Sequence, residues 1–262
     1  MQIAGRDVQM SMDLDPSNPC DVGIIDCCHA HKPIEPEVCN VMARVLQPGD
    51  AAVDGGANVG FLTLMMSRLV GETGHVYAFE PGGNNLPKLA ANLKLNDIDN
   101  VTVIDKPLAA VANVVTALHE HDHPGYNSLW PDLSKEVTAK RAVTATTLDM
   151  QLLGRPAPAL IKLDIEGAEL SALQGAGTWL IWQKPIIIAE MNEAAFARAG
   201  VTLEEFRQFL FDLGYHAFGL YEDGNLPCFI PHKVKIAPTK LNANVMFTQI
   251  EKVEKYWPEV RI

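Results

Sequence analysis

The run Ala51-Ala52-Val53-Asp54-Gly55-Gly56-Ala57-Asn58-Val59-Gly60 reads as a strand, a bend and the start of a helix within ten residues. Its first three residues are apolar and follow Gln47-Pro48-Gly49-Asp50, a turn by composition. Small residues then bend the chain, and from about Asn58 to Leu69 apolar residues recur with helical period. Strand, glycine-rich bend and helix in this order open a doubly wound α/β sheet.

The alternation continues outward from this unit. Gly71 to Gly74 turns into a second strand, His75 to Phe79, which ends at Glu80-Pro81. A helix over Leu86 to Leu95 leads to a third strand, Val101 to Ile104, closed by Asp105. Upstream, a helix spans Pro36 to Leu46. Val111 to Leu118 and Arg141 to Thr146 read as strands flanking a polar loop that begins His119-Glu120-His121-Asp122-His123. Ala159 to Leu163 is a continuous apolar run of the kind that buried parallel strands show, and Asp164-Ile165-Glu166-Gly167 opens another helix. Pro185 to Ala189 is a fifth strand ending at Glu190, and Leu203 to Leu213 is a helix stopped by Gly214. Tyr215 to Leu220 and Val245 to Ile250 are the last strands.

The pattern predicts one α/β domain over 34–250, a doubly wound, mostly parallel sheet with helices on both faces. Residues 1–33 form an N-terminal extension without an assigned role, and 251–262 a C-terminal tail.

Composition narrows the function. The formal net charge is −11, against a surface that neutralises phosphates, so no nucleic-acid partner is expected. No apolar stretch has the length of a signal peptide or a membrane span, and Gln183, Lys184 and Pro185 break the most apolar run. Five unevenly spaced cysteines, Cys20, Cys27, Cys28, Cys39 and Cys228, fit free thiols in a cytoplasmic protein. The first four lie near His29 and His31, but no CxxC pair or regular spacing marks a zinc site. Buried cysteines and surface histidines on an N-terminal strand and loop account for them.

The bend carries a ligand signal. Small residues let backbone N–H groups approach a ligand, and a helix N-terminus favours negative charge. Glu80, about 20 residues on and at the end of the second strand, is placed to accept both hydroxyls of a ribose. A dinucleotide loop starting at Gly55 needs glycine at the third position, where Ala57 stands, and Asp54 would repel a pyrophosphate. A carboxylate instead suits the ammonium and sulfonium of S-adenosyl-L-methionine. The cofactor set is therefore Asp54, Gly55, Gly56, Ala57, Asn58, Gly60, Glu80 and Pro81, with Asp105 at the end of the third strand.

Four blocks together resemble the FkbM family of methyltransferases: Val53 to Gly60, Ala78 to Pro81, Ile161-Lys162-Leu163-Asp164-Ile165-Glu166-Gly167-Ala168-Glu169, and Pro185 to Glu190. The resemblance covers about 34–250, and the block around Asp164 is its most specific part. It implies a class I methyltransferase fold, with a seven-stranded sheet whose last strand is antiparallel. It also implies S-adenosylmethionine as donor and a sugar, glycan or polyketide hydroxyl as acceptor. Gly55 departs from the family, which more often has a small apolar residue after the aspartate.

Methyl transfer to an alcohol needs the acceptor oxygen on the methyl axis and a group to take its proton. Asp164, Glu166 and Glu190 follow the fourth and fifth strands, at the sheet edge that holds the cofactor. Acidic residues there also suit a helix start, and both readings stand at this point. The same carboxylates with Asn192 suit magnesium or calcium, though nothing in the spacing demands a metal. His121, Ser128 and Trp130 are substrate candidates on a polar segment that is either a solvated loop or a lid. Two other functions compete: an NAD-dependent oxidoreductase and a non-catalytic adenosyl-binding module. Ala57 and Asp54 disfavour the first, and the three carboxylates the second.

Overall fold

The computed structural model describes residues 1–221, 226–236 and 244–260. A short hairpin, β1 (Gln2–Ile3) and β2 (Arg6–Asp7), precedes α1 (Pro19–His29) and α2 (Pro36–Val45). Strands and helices then alternate through β3 (Ala51–Gly55), α3 (Phe61–Val70), β4 (His75–Phe79), α4 (Leu86–Leu95) and β5 (Val101–Ile104). A second hairpin follows, β6 (Val115–His121) and β7 (Val137–Thr144). The chain continues through α5 (Leu148–Leu152), β8 (Pro158–Leu163), α6 (Glu169–Gln174) and α7 (Gly177–Trp182). Next come β9 (Ile186–Glu190), α8 (Glu193–Arg198), α9 (Leu203–Asp212) and β10 (His216–Gly219). It closes with β11 (Cys228–Ile230), β12 (Asn244–Thr248) and α10 (Ile250–Tyr256).

The main sheet has the order β11-β10-β12-β9-β8-β3-β4-β5. β9, β8, β3, β4 and β5 are mutually parallel, and β12 runs antiparallel to β9. From β3 the chain winds outward to β4 and β5, then returns to place β8 on the other side of β3. That reversal opens a crevice beyond the carboxyl ends of β3 and β8, the usual ligand position in open α/β sheets.

Side-chain alternation explains why helices cover both faces. Ala52, Leu160, Ile186 and Ile188 face a core shared with α2 and α3, while Val53, Ile161, Leu163, Ile187 and Ala189 face one shared with α6, α8 and α9. A single strand thus feeds two cores. Capping fixes where elements begin: Thr202 and Glu205 form a reciprocal capping box at α9.

Three features differ from the sequence expectation. The sheet gains an eighth strand, β11, only three residues long and bracketed by Pro227 and Pro231. The buried Arg207 guanidinium secures it, donating to the carbonyls of Ile230 (2.7 Å) and Pro231 (2.6 Å). Second, the strands expected at 111–118 and 141–146 lie instead at Val115–His121 and Val137–Thr144, which pair with each other in a two-stranded sheet separate from the main one. Cross-strand pairing, His119 opposite Lys140 and Glu120 opposite Ala139, carries polar residues into a strand that their composition does not suggest.

Third, the Cys/His-rich N-terminal segment is a helix, α1, and not a strand and loop. Ile24 anchors it in the core. The buried Asp21 fastens it, accepting from Lys88 Nζ at 2.7 Å and from the Asp15 N–H at 2.8 Å. Ile3 and Val8 join the same core, as do Val253 and Trp257 from the C-terminal end. Among the described residues no helix is long and apolar enough to cross a membrane.

Candidate active site

The bend after β3 is built on left-handed backbone: Gly56 at φ +84°, Asn58 at +50° and Gly60 at +98°. At Gly56 the need for glycine is absolute in space as well as angle, because a Cβ would lie 1.9 Å from the Asp164 carbonyl oxygen. The two loops at the crevice therefore touch through backbone, and the Asp164 N–H donates to the Gly55 carbonyl at 3.0 Å. A Cβ on Gly55 would meet Leu163 Cδ2 at 2.8 Å, so that side chain would have to shift.

Glu80, at the end of β4, organises the bend. Its Oε2 accepts from the Asn58 N–H and its Oε1 from the Gly82 N–H, both at 2.7 Å. With four lone-pair sites in all, the carboxylate keeps acceptor capacity toward a hydroxyl. Glu80 lines an open cleft. Gly56, Asn58 and Pro81 lie beside it, Pro107, Leu108 and Leu118 give an apolar wall, and Asp164 and Glu166 stand opposite. The β6–β7 hairpin roofs the cleft with Pro124, Gly125, Asn127, Ser128 and Leu129. Glu120 fixes the roof, accepting from the Gly83 N–H at 2.5 Å and pairing with Arg141 at 3.3 Å.

A second cavity lies across the bend. Ile24 of α1, Ile34, Glu35, His123 and Lys162 contribute to its walls. Gly56, Asn58, Gly125 and Asp164 belong to both spaces. Two compartments thus meet at Asp164.

The carboxylates of Asp164, Glu166 and Glu190 converge, with one oxygen of each within 4.8 Å of the others. Lys162 Nζ pairs with Asp164 Oδ2 at 3.1 Å, and Arg198 with Glu166 Oε2 at 3.3 Å. Glu190 Oε2 is buried with no hydrogen-bond partner. Burial, reinforced by Asp164, raises the Glu166 pKa to about 7, against the pull of Arg198. Burial also pushes the Glu190 carboxyl well up, with Asp164, Glu166 and Glu169 adding to it. Glu169 plays a structural part, its two oxygens accepting from the Ile165 N–H (2.9 Å) and the Gly167 N–H (3.0 Å). This ties down a turn in which Glu166 itself sits at φ +51°.

Lys162 is the residue whose role the sequence leaves unassigned. It is 2 % exposed inside an otherwise apolar strand. Burial alone lowers its pKa, but Asp164, Glu35 and Asp54 together push it above its ordinary value. A charged side chain within a buried strand is the signal that could have identified it, since such a group persists only among opposite charges. Glu35 and Arg198 are further charged neighbours that spacing alone does not reveal.

A profile of the Methyltransferase FkbM domain matches residues 54–217. The chain belongs to the FkbM methyltransferase family. Over 153 residues it is 29% identical to methyltransferase sdnD of Sordaria araneosa, a stretch covering 47% of this chain and 59% of that relative. Its fold is similar to the crystal structure of methyltransferase FkbM from Methylobacillus flagellatus KT, with a TM-score of 0.51 at 17% identity. That match covers 80% of this chain and 50% of the other. The cofactor of this FkbM methyltransferase is S-adenosylmethionine. The cleft fits it, because the Glu80 carboxylate retains acceptor capacity toward a ribose hydroxyl and the Gly56 and Asn58 backbone lines the same space.

The residues expected from the sequence fall into three groups. Gly56, Asn58, Glu80, Pro81, Asp164, Glu166 and Ser128 line the cleft, and Ala57 lines the second cavity. Gly55, Gly60 and Asp54 act from behind: Asp54 is fully buried and its Oδ2 accepts from Thr63 Oγ1 at 2.5 Å. Asp105, His121 and Trp130 line neither space. Asp105 is exposed, and its neighbours Lys106, Pro107 and Leu108 face the cleft instead. His121 is buried with Nδ1 2.8 Å from the Glu136 carbonyl, and the Trp130 carbonyl accepts from Arg198. The Ser128 hydroxyl is engaged with the Glu166 carbonyl at 2.9 Å, anchoring the roof to the carboxylate loop. Asn192 caps α8, accepting from the Ala195 N–H. Among the described residues Cys27, Cys28, Cys39, His29 and His31 do not assemble into a metal-binding group.

We predict that donor affinity depends on pH through Glu80. Burial raises its pKa to about 7, opposed by the Gly82 and Asn58 N–H groups and the Asn85 side chain. Ribose hydroxyls donate best to the ionised carboxylate, so binding favours loss of the proton. The ionised fraction grows from about one-tenth at pH 6 to about nine-tenths at pH 8, so S-adenosylhomocysteine should bind roughly tenfold tighter at pH 8. Calorimetry across this range checks it, with Glu80→Gln expected to bind weakly and without the trend. The stability of the free protein moves oppositely. The folded-state pKa lies above the unfolded value, so the contribution of Glu80 is complete below about pH 4.5 and lost as pH rises through about 7.

Proposed function

We propose that this methyltransferase methylates a hydroxyl oxygen of a small organic acceptor, a sugar, glycan or polyketide-like compound. The observation that carries the reading is the position of Asp164, shared by both spaces and converging with Glu166 and Glu190. When bound, S-adenosylmethionine supplies a methyl carbon on a positive sulfur, which departs with the C–S electron pair as the acceptor oxygen forms the new bond. The residues of the chain do the rest. Glu80 and the Gly56–Asn58 backbone hold the adenosyl side, and Asp164, Glu166 and Glu190 orient the acceptor hydroxyl and take its proton. The β6–β7 roof covers the cleft and limits water.

The net charge of −11 supports a small-molecule acceptor over a nucleic acid. The free thiols of Cys27, Cys28, Cys39 and Cys228 support a reducing compartment such as the cytoplasm. The test is release of S-adenosylhomocysteine over a panel of hydroxylated compounds, amines and oligonucleotides, with the methylated atom located by NMR. Turnover of hydroxyl compounds with a new O-methyl signal is the expected result. Turnover confined to amines or oligonucleotides would overturn the reading.

A further inference from the structure

We propose that Asp164, Glu166 and Glu190 hold a divalent cation, which positions the acceptor oxygen beside the donor cleft. The second half of that statement rests on the proposed hydroxyl acceptor; the cation site itself does not. Geometry allows it. Two ligands on opposite sides of a cation at about 2.4 Å are about 4.8 Å apart, so a pairwise separation within that span is required of any oxygens that share one ion. The three carboxylate oxygens meet this limit. All-oxygen donors select magnesium, calcium or manganese over softer metals.

The pairing of charges points to an ion as well. Lys162 takes one oxygen of Asp164 and Arg198 one oxygen of Glu166, so each of these carboxylates has a second oxygen to offer a cation. Glu190 differs from both. It is 8 % exposed, its Oε2 has no hydrogen-bond partner, and among the described residues it makes no ion pair. A buried carboxylate oxygen without a donor is costly, and coordination to a cation is a physical remedy. Strand register fixes its place: Glu190 closes β9 opposite Asn244 of β12, while Asp164 follows the last residue of β8. The two carboxylates therefore stand on neighbouring strand ends, rigid positions suited to holding an ion. Because Asp164 lines both the donor cleft and the second cavity, an ion bound to it is accessible to an acceptor from the second cavity.

The experiment titrates Mn²⁺ into the full chain without donor and follows free Mn²⁺ by electron paramagnetic resonance. One ion per chain should bind more tightly than about 1 mM. Glu190→Gln and Asp164→Asn should each weaken binding at least roughly tenfold, while Glu72→Gln, on an exposed turn, should leave it unchanged. Glu166→Gln serves as a further variant should either of the first two fail to fold. Absence of binding by the native chain, or binding by folded Glu190→Gln equal to the native, overturns the site. A parallel titration with S-adenosylhomocysteine separates the two readings. S-adenosylhomocysteine bound by a chain that takes up no Mn²⁺ removes only the cation, and Mn²⁺ bound by a chain that takes up no S-adenosylhomocysteine supports the cation against the donor cleft.

Discussion

Lys162→Met should destabilise the folded chain by about 3–5 kcal/mol, the range measured when one partner of a buried charge pair is removed. For a domain of this size that corresponds to a fall in melting temperature of roughly 10 °C. Methionine keeps most of the stem length, so the change isolates the ammonium from packing. What remains is a set of carboxylates without their cation. Asp54 is fully buried with Oδ1 unpartnered, and Asp164 and Glu35 lie within reach of the same Lys162 charge. The sign of the pH dependence follows. Burial raises the pKa of Asp54 and of Glu35, and the Lys162 charge opposes that rise at both, with the Thr63 hydroxyl helping at Asp54. Without Lys162 both take up protons more readily, so the loss should be smaller in mild acid and larger above neutrality. The double variant Asp54→Asn, Lys162→Met should recover part of the loss, because two neighbours in one charge network do not act additively. Urea titrations at acid and alkaline pH decide the matter. A loss under about 1 kcal/mol at all pH values would mean that Lys162 is not the centre of the cluster.

The sequence discloses the parts of this fold that local rules control. Ala51–Gly55, His75–Phe79, Leu86–Leu95 and Val101–Ile104 are short apolar or periodic runs closed by glycine, proline or acidic residues, and pattern alone places them. Cys228–Ile230 carries no such pattern; it is a strand because β10 offers an edge and Arg207 holds its carbonyls. The same distinction divides the site. Gly56 and Glu80 are visible because a turn and a strand end dictate them. Lys162 and Arg198 are not, since their effect depends on which carboxylates the sheet brings near them.

Ser128 and His121 show the converse limit. Their residue types suit substrate binding, but Ser128 is engaged by the Glu166 carbonyl and His121 lies within the hairpin. Chemistry of the side chain gives a capability, and only three-dimensional partners say how it is used. Conversely, Leu108 and Leu118 have no chemical signature at all, yet supply the apolar wall on which a planar base can rest.

Gly56→Ala should abolish measurable binding of S-adenosylhomocysteine while the chain still folds with reduced stability. Two effects combine at this position. An alanine at φ +84° carries a left-handed strain of about 1 kcal/mol. The larger effect is the Cβ, 1.9 Å from the Asp164 carbonyl oxygen, a contact that no rotamer can relieve because both partners are backbone. The bend and the Asp164 loop must move apart, carrying Asn58 from Glu80 and Asp164 from the carboxylate cluster. A displacement of about 1 Å at such a site lowers function about a hundredfold or more. Gly154→Ala separates the two effects, since Gly154 sits at φ +73° with nothing within 4 Å of its Cβ position. It should lose about 1 kcal/mol of stability and no affinity. If Gly56→Ala matched Gly154→Ala in both measurements, the close contact between the two loops would not be what shapes the donor cleft. Affinity lost at Gly56 alone would trace the selection of glycine there to the backbone of Asp164, and through it to the carboxylates proposed to meet the acceptor.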